Sequence, residues 1–292
     1  MYRAFCRGFA GLAIAISGVS FSFAGMLSNG PLTVETNDTT GTVHDITFNG
    51  THFFEYNPIA DFGFQGKNNP TLELNQSNAA TDYFDLSMSG LSYSGTYDNV
   101  LDIAFTRTYS LVPGQNVLRV ETSFTNNSAD AADFSYFDIY DPDPGATSAA
   151  DDVATINDRF ILDSVEVGQA SLASGLSVLI GSYDSRAVVG SGNPTGNWTS
   201  FFSSGNPDAN GALSAANRLQ IGLQTTLASG AMTSFTYDLA FGTSVSGTQN
   251  EFIEANVATV PEPTSLALYG LGTLCCGIGA AYKRRMKKNK DA

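Results

Sequence analysis

Apolar and polar residues alternate along much of this chain, most clearly between residues 101 and 126. The apolar positions of that stretch are Leu101, Ile103, Phe105, Tyr109, Leu111, Leu118, Val120 and Phe124. Between its two halves lies Val112–Gln115, where Pro113 and Gly114 suit the backbone angles of a tight reversal. A period of two residues is typical of a strand with one buried face, so the stretch predicts a β-hairpin.

The same period of two residues recurs at 219–241 and predicts a second hairpin. Its apolar positions are Leu219, Ile221 and Leu223, then, after a turn at 228–231, Phe235, Tyr237 and Leu239. Shorter strands are predicted near 42–49, 134–140, 160–167 and 176–183. No stretch of 25–242 keeps a helical period for three turns, so we predict an all-β domain there, a large antiparallel β-sandwich. Residues 243–259 have no sustained period and are predicted to form a spacer.

The first residues have the pattern of an export signal. Arg3 and Arg7 precede an apolar run at 9–19, and small residues follow at Ser22 and Ala24. This order of a basic region, an apolar region and small residues predicts a secretory signal peptide over 1–24, with the mature chain beginning at Gly25.

The C-terminal end combines three features in a fixed order. Pro261, Glu262 and Pro263 interrupt regular structure, because each proline lacks an amide donor. Residues 264–282 carry no charge and are long enough, at about 28 Å as a helix, to cross a bilayer. A basic cluster follows and should stay cytoplasmic; it comprises Lys283, Arg284, Arg285, Lys287 and Lys288.

A Pro-Glu-Pro motif, one hydrophobic span and a terminal basic cluster resemble the PEP-CTERM protein-sorting signal, here at 260–290. The resemblance implies recognition by an exosortase, a membrane protease or transpeptidase of Gram-negative bacteria that make extracellular polysaccharide. It also implies a body anchored outside the cytoplasm and then delivered to the cell surface or beyond. The same tail is catalogued as an ice-binding protein C-terminal domain, a label that describes the tail and not the body.

Charge limits the partners of the body. The whole chain has a net charge of −14, but most basic residues lie in the two ends, which leaves −20 for residues 25–260. Such an acidic body should repel nucleic acid. All three cysteines lie in the end segments, so disulfides cannot stabilise the exported domain and it must have a sizeable core.

Two parts of the body resemble a known domain class. The run RTYSLVPGQNVLRVETSFTN at 107–126, with GAMTSFTYDLAFG at 230–242, is similar to the β-supersandwich of galactose-mutarotase-like domains. The resemblance implies binding to, or action on, carbohydrates. The epimerases of that class have their catalytic histidines in the middle of the domain, and this chain has no histidine after His52. Epimerase activity is therefore not implied.

An acidic segment is a candidate cation site. Asp138, Asp141 and Asp143 lie close together, with Asp151 and Asp152 nearby, and clustered carboxylates are ligands that calcium prefers. The alternative is a solvated acidic loop in which Asp, Pro and Gly form turns.

Aromatic residues near these acids are candidate carbohydrate contacts. Tyr136, Asp138 and Tyr140 share one face of a predicted strand, and Trp198 lies in a later loop rich in Gly and Asn. Rings beside carboxylates can hold sugars, although the same rings could instead pack inside the sandwich. His44 and His52 are weak candidates for zinc, since neither has the companion ligands that a zinc site needs.

These observations predict an exported surface or extracellular-matrix protein whose body is a non-enzymatic structural or carbohydrate-interacting module. The chain has no nucleophile elbow, phosphate-binding loop or metalloprotease motif. The alternative is a carbohydrate-active enzyme with a mutarotase-like or lyase-like sandwich, which would bring ionisable residues together in one cleft. No cofactor is implied other than calcium.

Overall fold

The computed structural model describes residues 25–37, 40–53, 60–66, 73–74, 87–89, 91–97, 102–145, 153–192, 212–214 and 218–257. The first nine described strands are β1 (Met26–Asn29), β2 (Leu32–Thr36), β3 (Val43–Phe48), β4 (Thr51–His52), β5 (Ala60–Gly66), β6 (Glu73–Leu74), β7 (Ser87–Ser89), β8 (Ser92–Tyr97) and β9 (Ile103–Leu111). The other elements are β10 (Val117–Asn126), β11 (Ala132–Tyr140), β12 (Thr155–Leu162), β13 (Val165–Ser171), β14 (Ser177–Gly181), β15 (Ala187–Gly192), β16 (Ala212–Ser214), β17 (Arg218–Leu227), β18 (Met232–Gly242) and one helix, α1 (Val245–Asn256).

The described strands form three antiparallel sheets. A nine-stranded sheet has the order β16-β12-β13-β14-β18-β10-β9-β8-β7, and a five-stranded sheet has the order β15-β17-β11-β5-β6. A four-stranded sheet at the start of this region has the order β1-β2-β3-β4. The inner faces of the two larger sheets share one aromatic core, in which Phe64 contacts both Phe124 of β10 and Phe134 of β11. The prediction of an all-β sandwich is confirmed.

The predicted hairpin at 101–126 is present as β9 and β10. These strands pair from Leu111 opposite Leu118 to Ile103 opposite Asn126. Gly114 in their turn has a φ of 77°, a backbone angle that glycine adopts without a steric penalty. Alternation and turn residues therefore predicted both the strands and their pairing.

The second predicted hairpin is wrong. Strand β17 pairs with β11 and β15 in the five-stranded sheet, whereas β18 pairs with β10 and β14 in the nine-stranded sheet. The turn at 228–231 therefore joins two sheets across the core. Apolar alternation shows that one face of each strand is buried. It does not show whether the two strands pair side by side in one sheet or face each other across the core from two sheets.

Two further segments differ from the prediction. The expected single strand at 160–167 is instead the end of β12 and the start of β13, joined by a turn at Asp163 and Ser164, both of which have positive φ. The expected spacer at 243–259 contains α1, whose first turn is capped by the Ser244 side chain. The helix lies on the outer face of the nine-stranded sheet and buries Phe252 completely.

Close approach of α1 to the sheet depends on glycine. A Cβ atom added to Gly242 would lie 2.4 Å from the Thr248 Oγ1 atom, and one added to Gly181 would lie 2.8 Å from the Phe252 ring. Among the described residues there is no helix with the length and hydropathy needed to cross a membrane. The segment 264–282 lies outside the described residues, as does the signal segment 1–24.

Candidate functional site

A buried network of polar side chains lies between the two larger sheets. We call it the Arg107 network; its members are Arg107, Tyr109, Tyr136, Asp138, Tyr140 and Tyr237. The Arg107 side chain is 2% exposed, and its Nη1 and Nη2 atoms donate to the two Asp138 carboxylate oxygens at 2.9 and 2.7 Å. Paired in this way, the two charges bridge β9 of one sheet and β11 of the other.

Four tyrosine hydroxyls surround the guanidinium. Arg107 Nε donates to Tyr109 Oη at 2.6 Å, and the two Nη atoms donate to the hydroxyls of Tyr136, Tyr140 and Tyr237. The Tyr109 hydroxyl in turn donates to the Gly41 carbonyl at 2.7 Å. Each side chain of the network thus has partners, which is the condition for keeping polar groups in a core.

Electrostatics fix the protonation of this network. Burial by itself lowers the pKa of Arg107, but the Asp138 charge raises it, and the resulting pKa lies well above its ordinary value. Burial raises the pKa of all four phenols. The arginine therefore stays charged and the tyrosines stay neutral donors.

The predicted sugar-contact residues lie largely within this network. Tyr136, Asp138 and Tyr140 share one face of β11, as the alternation predicts, but that face is the inner one and each residue is buried. The structure therefore places them in the sandwich core, away from any surface that a sugar could reach. Trp198 lies outside the described residues.

The acidic segment is held by neighbouring groups. Arg218 Nε donates to Asp141 Oδ2 at 3.1 Å, and Asp143 Oδ1 accepts from the Val153 amide at 3.1 Å. Both oxygens of Asp138 accept from Arg107, so this residue is not oriented towards the other two acids. The described part of the chain contains no group of three or more His, Cys, Asp or Glu side chains that could hold a metal ion. Calcium binding at Asp138, Asp141 and Asp143 stays a prediction.

The two histidines are separate. His44 is exposed, whereas His52 Nδ1 lies 2.8 Å from Asp45 Oδ2 and 3.2 Å from Thr47 Oγ1. The contact between His52 and Asp45 joins β4 to β3. The sorting motif at Pro261, Glu262 and Pro263 lies outside the described residues, as do the basic residues from Lys283 to Lys288.

An open cleft of about 230 Å³ lies on the outer face of the nine-stranded sheet. We call it the Tyr183 cleft; it is lined by Ser182, Tyr183, Asp184, Ser234, Thr236, Tyr237, Asp238 and Asn256. Tyr183 is 41% exposed, and its ring stacks on Phe252 of α1 with centroids 5.6 Å apart and planes at 14°. The Tyr183 ring is therefore held against Phe252 in an offset stack and keeps part of its surface exposed.

Two ion pairs and a phenol set the electrostatics of the cleft. Arg186 binds both oxygens of Asp184, and its hydrogen bonds lower the pKa of that carboxyl. Arg119 binds both oxygens of Asp238 at 2.9 and 2.8 Å, and these bonds raise the arginine pKa. Burial, and then the bond to Asp163, raise the pKa of the Tyr183 phenol to about 12. At neutral pH the cleft therefore presents an ionised Asp184 and a neutral phenol.

The end of α1 forms one wall of this cleft. Asn256 Nδ2 donates to Asp238 Oδ2 at 2.7 Å, and Arg119 Nη2 donates to the Ala255 carbonyl at 3.3 Å. A cation beside the C-terminal carbonyls of a helix also interacts favourably with the helix dipole. The cleft thus depends on a helix that the sequence pattern does not predict.

Two important residues are absent from the sequence prediction. Arg107 does carry a signal, because it falls in phase with Phe105 and Tyr109 and is therefore a single charge on a buried face. Tyr183 carries none, since it lies in a turn after β14 and only the folded chain brings it to β18 and α1.

No protein-family model matches the chain, and no curated protein matches it. It is similar to the solved structure of a bacterial glucoamylase in complex with acarbose, with 13% identity and a TM-score of 0.48 over 77% of this chain and 32% of that one. It is also similar to a galactose mutarotase related enzyme from Lactobacillus acidophilus, with 12% identity and a TM-score of 0.40 over 75% and 98% of the two chains. A galactose mutarotase-like protein from Lactobacillus casei gives 9% identity and a TM-score of 0.42 over 74% and 99%.

These similarities concern the fold alone, and the chain spans about a third of the glucoamylase. Two of these structures are a galactose mutarotase related enzyme and a galactose mutarotase-like protein, the class of domain that the sequence at 107–126 resembles. The similar structures include a glucoamylase and a mutarotase related enzyme, so this fold is one that enzymes have and it gives no support to the prediction that the body is not an enzyme. That prediction is therefore withdrawn.

Proposed function

We propose that the described domain binds carbohydrate in the Tyr183 cleft. The observation that carries the proposal is Tyr183 itself, a partly exposed ring that is held against Phe252 at the cleft. An aromatic face fixed in this way can stack on the C–H face of a sugar ring with little loss of side-chain freedom.

The polar lining supports a sugar better than a purely apolar ligand. Ser234 and Thr236 contribute hydroxyls, Asn256 contributes an amide, and Asp184 and Asp238 contribute carboxylates. Sugar hydroxyls both donate and accept hydrogen bonds, and this set of groups offers both roles. Arginine pairing keeps the carboxylates oriented before any ligand arrives.

A carbohydrate-active enzyme is the second candidate for the same cleft. The observation that favours it is a carboxylate, Asp184, in the lining of the cleft, because enzymes that act on sugars commonly use a pair of carboxyl groups. Asp238 lies in the same cleft as a second carboxylate. Both candidates share the sugar site, so one set of variants distinguishes them.

The proposal includes delivery to the cell surface. The predicted signal peptide and the resemblance of 260–290 to a PEP-CTERM signal support export, recognition by an exosortase, and an extracellular polysaccharide as the partner. An exported domain with a sugar cleft would meet that polymer on arrival.

Binding is tested with the full chain in mild detergent on an array of neutral, amino and acidic glycans. Tyr183→Ala should lower affinity for the glycan bound best by about tenfold or more, because stacked aromatic contacts contribute roughly 0.5–1.5 kcal/mol beyond their buried area. Tyr183→Phe is the matched control, since it keeps the ring and loses only the bond to Asp163. Equal binding by Tyr183→Ala and wild type would refute the site.

Catalysis is tested by product analysis and polarimetry on the same glycan. If the cleft is an active site with Asp184 as base or nucleophile, Asp184→Asn should keep binding and lose turnover. Turnover unchanged in Asp184→Asn would refute this role, and turnover absent from wild type would leave the binding function alone.

A further inference from the structure

Beside the Tyr183 cleft, the outer face of the nine-stranded sheet carries rows of polar side chains. Strand pairing places Thr236, Glu121, Thr108 and Ser92 in one row across β18, β10, β9 and β8. It places Ser234, Ser123, Thr106 and Ser94 in the adjacent row. We call these two rows the hydroxyl face. The first residue of each row also lines the cleft.

The two rows lie two residues apart on each strand and therefore on the same side of the sheet, and neighbouring side chains within each row are in contact. Ser94 and Thr106 hydroxyls are 3.0 Å apart, and Thr108 Oγ1 donates to Ser92 Oγ at 3.4 Å. Thr108, Glu121 and Ser234 are exposed. At about 4.8 Å between strands, the four strands give each row a length of roughly 14 Å.

The chemistry of the face selects its occupant. The two rows contain hydroxyls and one carboxylate, with no apolar side chain to form the dry centre that a protein partner needs. Hydroxyls at strand spacing instead offer a ladder of donors and acceptors to a partner that itself carries hydroxyls. Because the first residue of each row lines the cleft, such a partner could occupy both at once.

Charge limits the kind of polymer further. In the described surroundings of the cleft, Asp184 and Asp238 form ion pairs with arginines, whereas Glu121 interacts with Arg119 only at longer range and Asp163 forms no ion pair. The excess is therefore negative, in line with the charge of −20 for residues 25–260. A uronate or sulfated chain would be repelled, and a neutral or amino-sugar chain would not.

We propose that the occupant is a linear neutral or amino-sugar polysaccharide, with one sugar in the Tyr183 cleft and the following units across the hydroxyl face. This inference rests on the proposed sugar site and adds the length and charge of its ligand.

The test is binding of a disaccharide and an octasaccharide from each of three series to the full chain. The probes are chitosan, a neutral β-glucan and alginate oligosaccharides. The octasaccharide of chitosan or glucan should bind about tenfold more tightly than its disaccharide, because a few added hydrogen bonds are worth about that factor. Alginate oligosaccharides should bind more weakly than either.

Variants separate the face from the cleft. Thr106→Val with Thr108→Val should remove the advantage of the octasaccharide and leave disaccharide binding unchanged. The matched control is Thr33→Val with Thr47→Val, a cross-strand threonine pair in the four-stranded sheet, which should change neither.

The outcomes distinguish the two proposals. Equal affinity for disaccharide and octasaccharide, or an unchanged length dependence in the Thr106 and Thr108 variant, overturns the polymer inference while the cleft stands. Tighter binding of alginate overturns the charge argument. Disaccharide binding that survives Tyr183→Ala overturns the sugar site, and absence of binding by every probe overturns both.

Discussion

The ion pair at the centre of the Arg107 network provides the sharpest test of the fold. Asp138→Asn removes the carboxylate charge while keeping the shape of the side chain. Arg107 is 2% exposed and would then be an uncompensated charge in the core. Breaking a buried pair from one side costs about 3–5 kcal/mol, a large share of the roughly 5–15 kcal/mol that stabilises a typical domain.

A second substitution measures how strongly the two charges are coupled. Arg107→Met should also destabilise the domain by about 3–5 kcal/mol, since it leaves a buried carboxylate and removes the partner of four phenols. The double variant leaves no buried charge, so its loss should be smaller than the sum of the two single losses by about 2–3 kcal/mol.

Urea unfolding followed by far-UV circular dichroism gives each free energy. Asp184→Asn is the control, because it breaks an arginine–aspartate pair of similar geometry near the surface and should cost less than about 1 kcal/mol. If Asp138→Asn costs no more than this control, Arg107 is not held as a buried charge. If the double variant equals the sum of the singles, the two residues are not coupled.

Three further outcomes are expected. Burial raises the pKa of the four phenols of the Arg107 network. Above about pH 10 the unfolded chain therefore releases phenol protons that the folded chain keeps. Urea unfolding at a series of pH values should show a free energy of unfolding that is unchanged below about pH 10 and falls steeply above it. Phe252→Ala should cost about 3–5 kcal/mol in thermal unfolding by removing the anchor of α1, whereas Val257→Ala, at a residue 58% exposed, should cost almost nothing. Changing Pro261, Glu262 and Pro263 to Ala should leave membrane insertion intact but stop processing, seen on immunoblots as full-length protein in cells with an exosortase; the same band pattern in wild type would refute recognition of the motif.

Local sequence predicted what depends on local sequence. The β9–β10 hairpin follows from alternation, strand-forming residues and a Pro-Gly turn within one short stretch. The pairing of β17 and β18 does not, because their inner faces are apolar in either arrangement and the choice of sheet depends on partners about a hundred residues away. The sequence pattern does not predict helix α1 either. It buries only Thr248 and Phe252, too few positions to establish a helical period.

The candidate sites divide in the same way. Tyr136, Asp138 and Tyr140 were correctly assigned to one face, but alternation alone does not tell whether that face is inside or outside. Arg107 explains why this face can be the inner one: it lies on the apolar face of β9 and its charge neutralises Asp138. The Tyr183 cleft combines a turn, a strand and a helix end, and no single stretch of sequence contains its pattern.

The core network and the cleft depend on the same strand register. On β18, Tyr237 points into the Arg107 network while its neighbour Asp238 points outward to Arg119 and the cleft. On β11 and β9, Asp138 and Arg107 meet only if both strands keep their present faces inward. A shift of one residue would exchange the faces, turning Asp238 into the core between the sheets and Tyr237 to the outer face, and so destroy both sites together. In the shifted register Arg107 and Asp138 would no longer meet, and each would lose its hydrogen bonds. Apolar side chains can exchange one contact for another, so the ion pair opposes the shift in register more strongly than they do. The network therefore acts on the cleft without touching a ligand, because it fixes the register that brings Thr236 and Asp238 to the outer face.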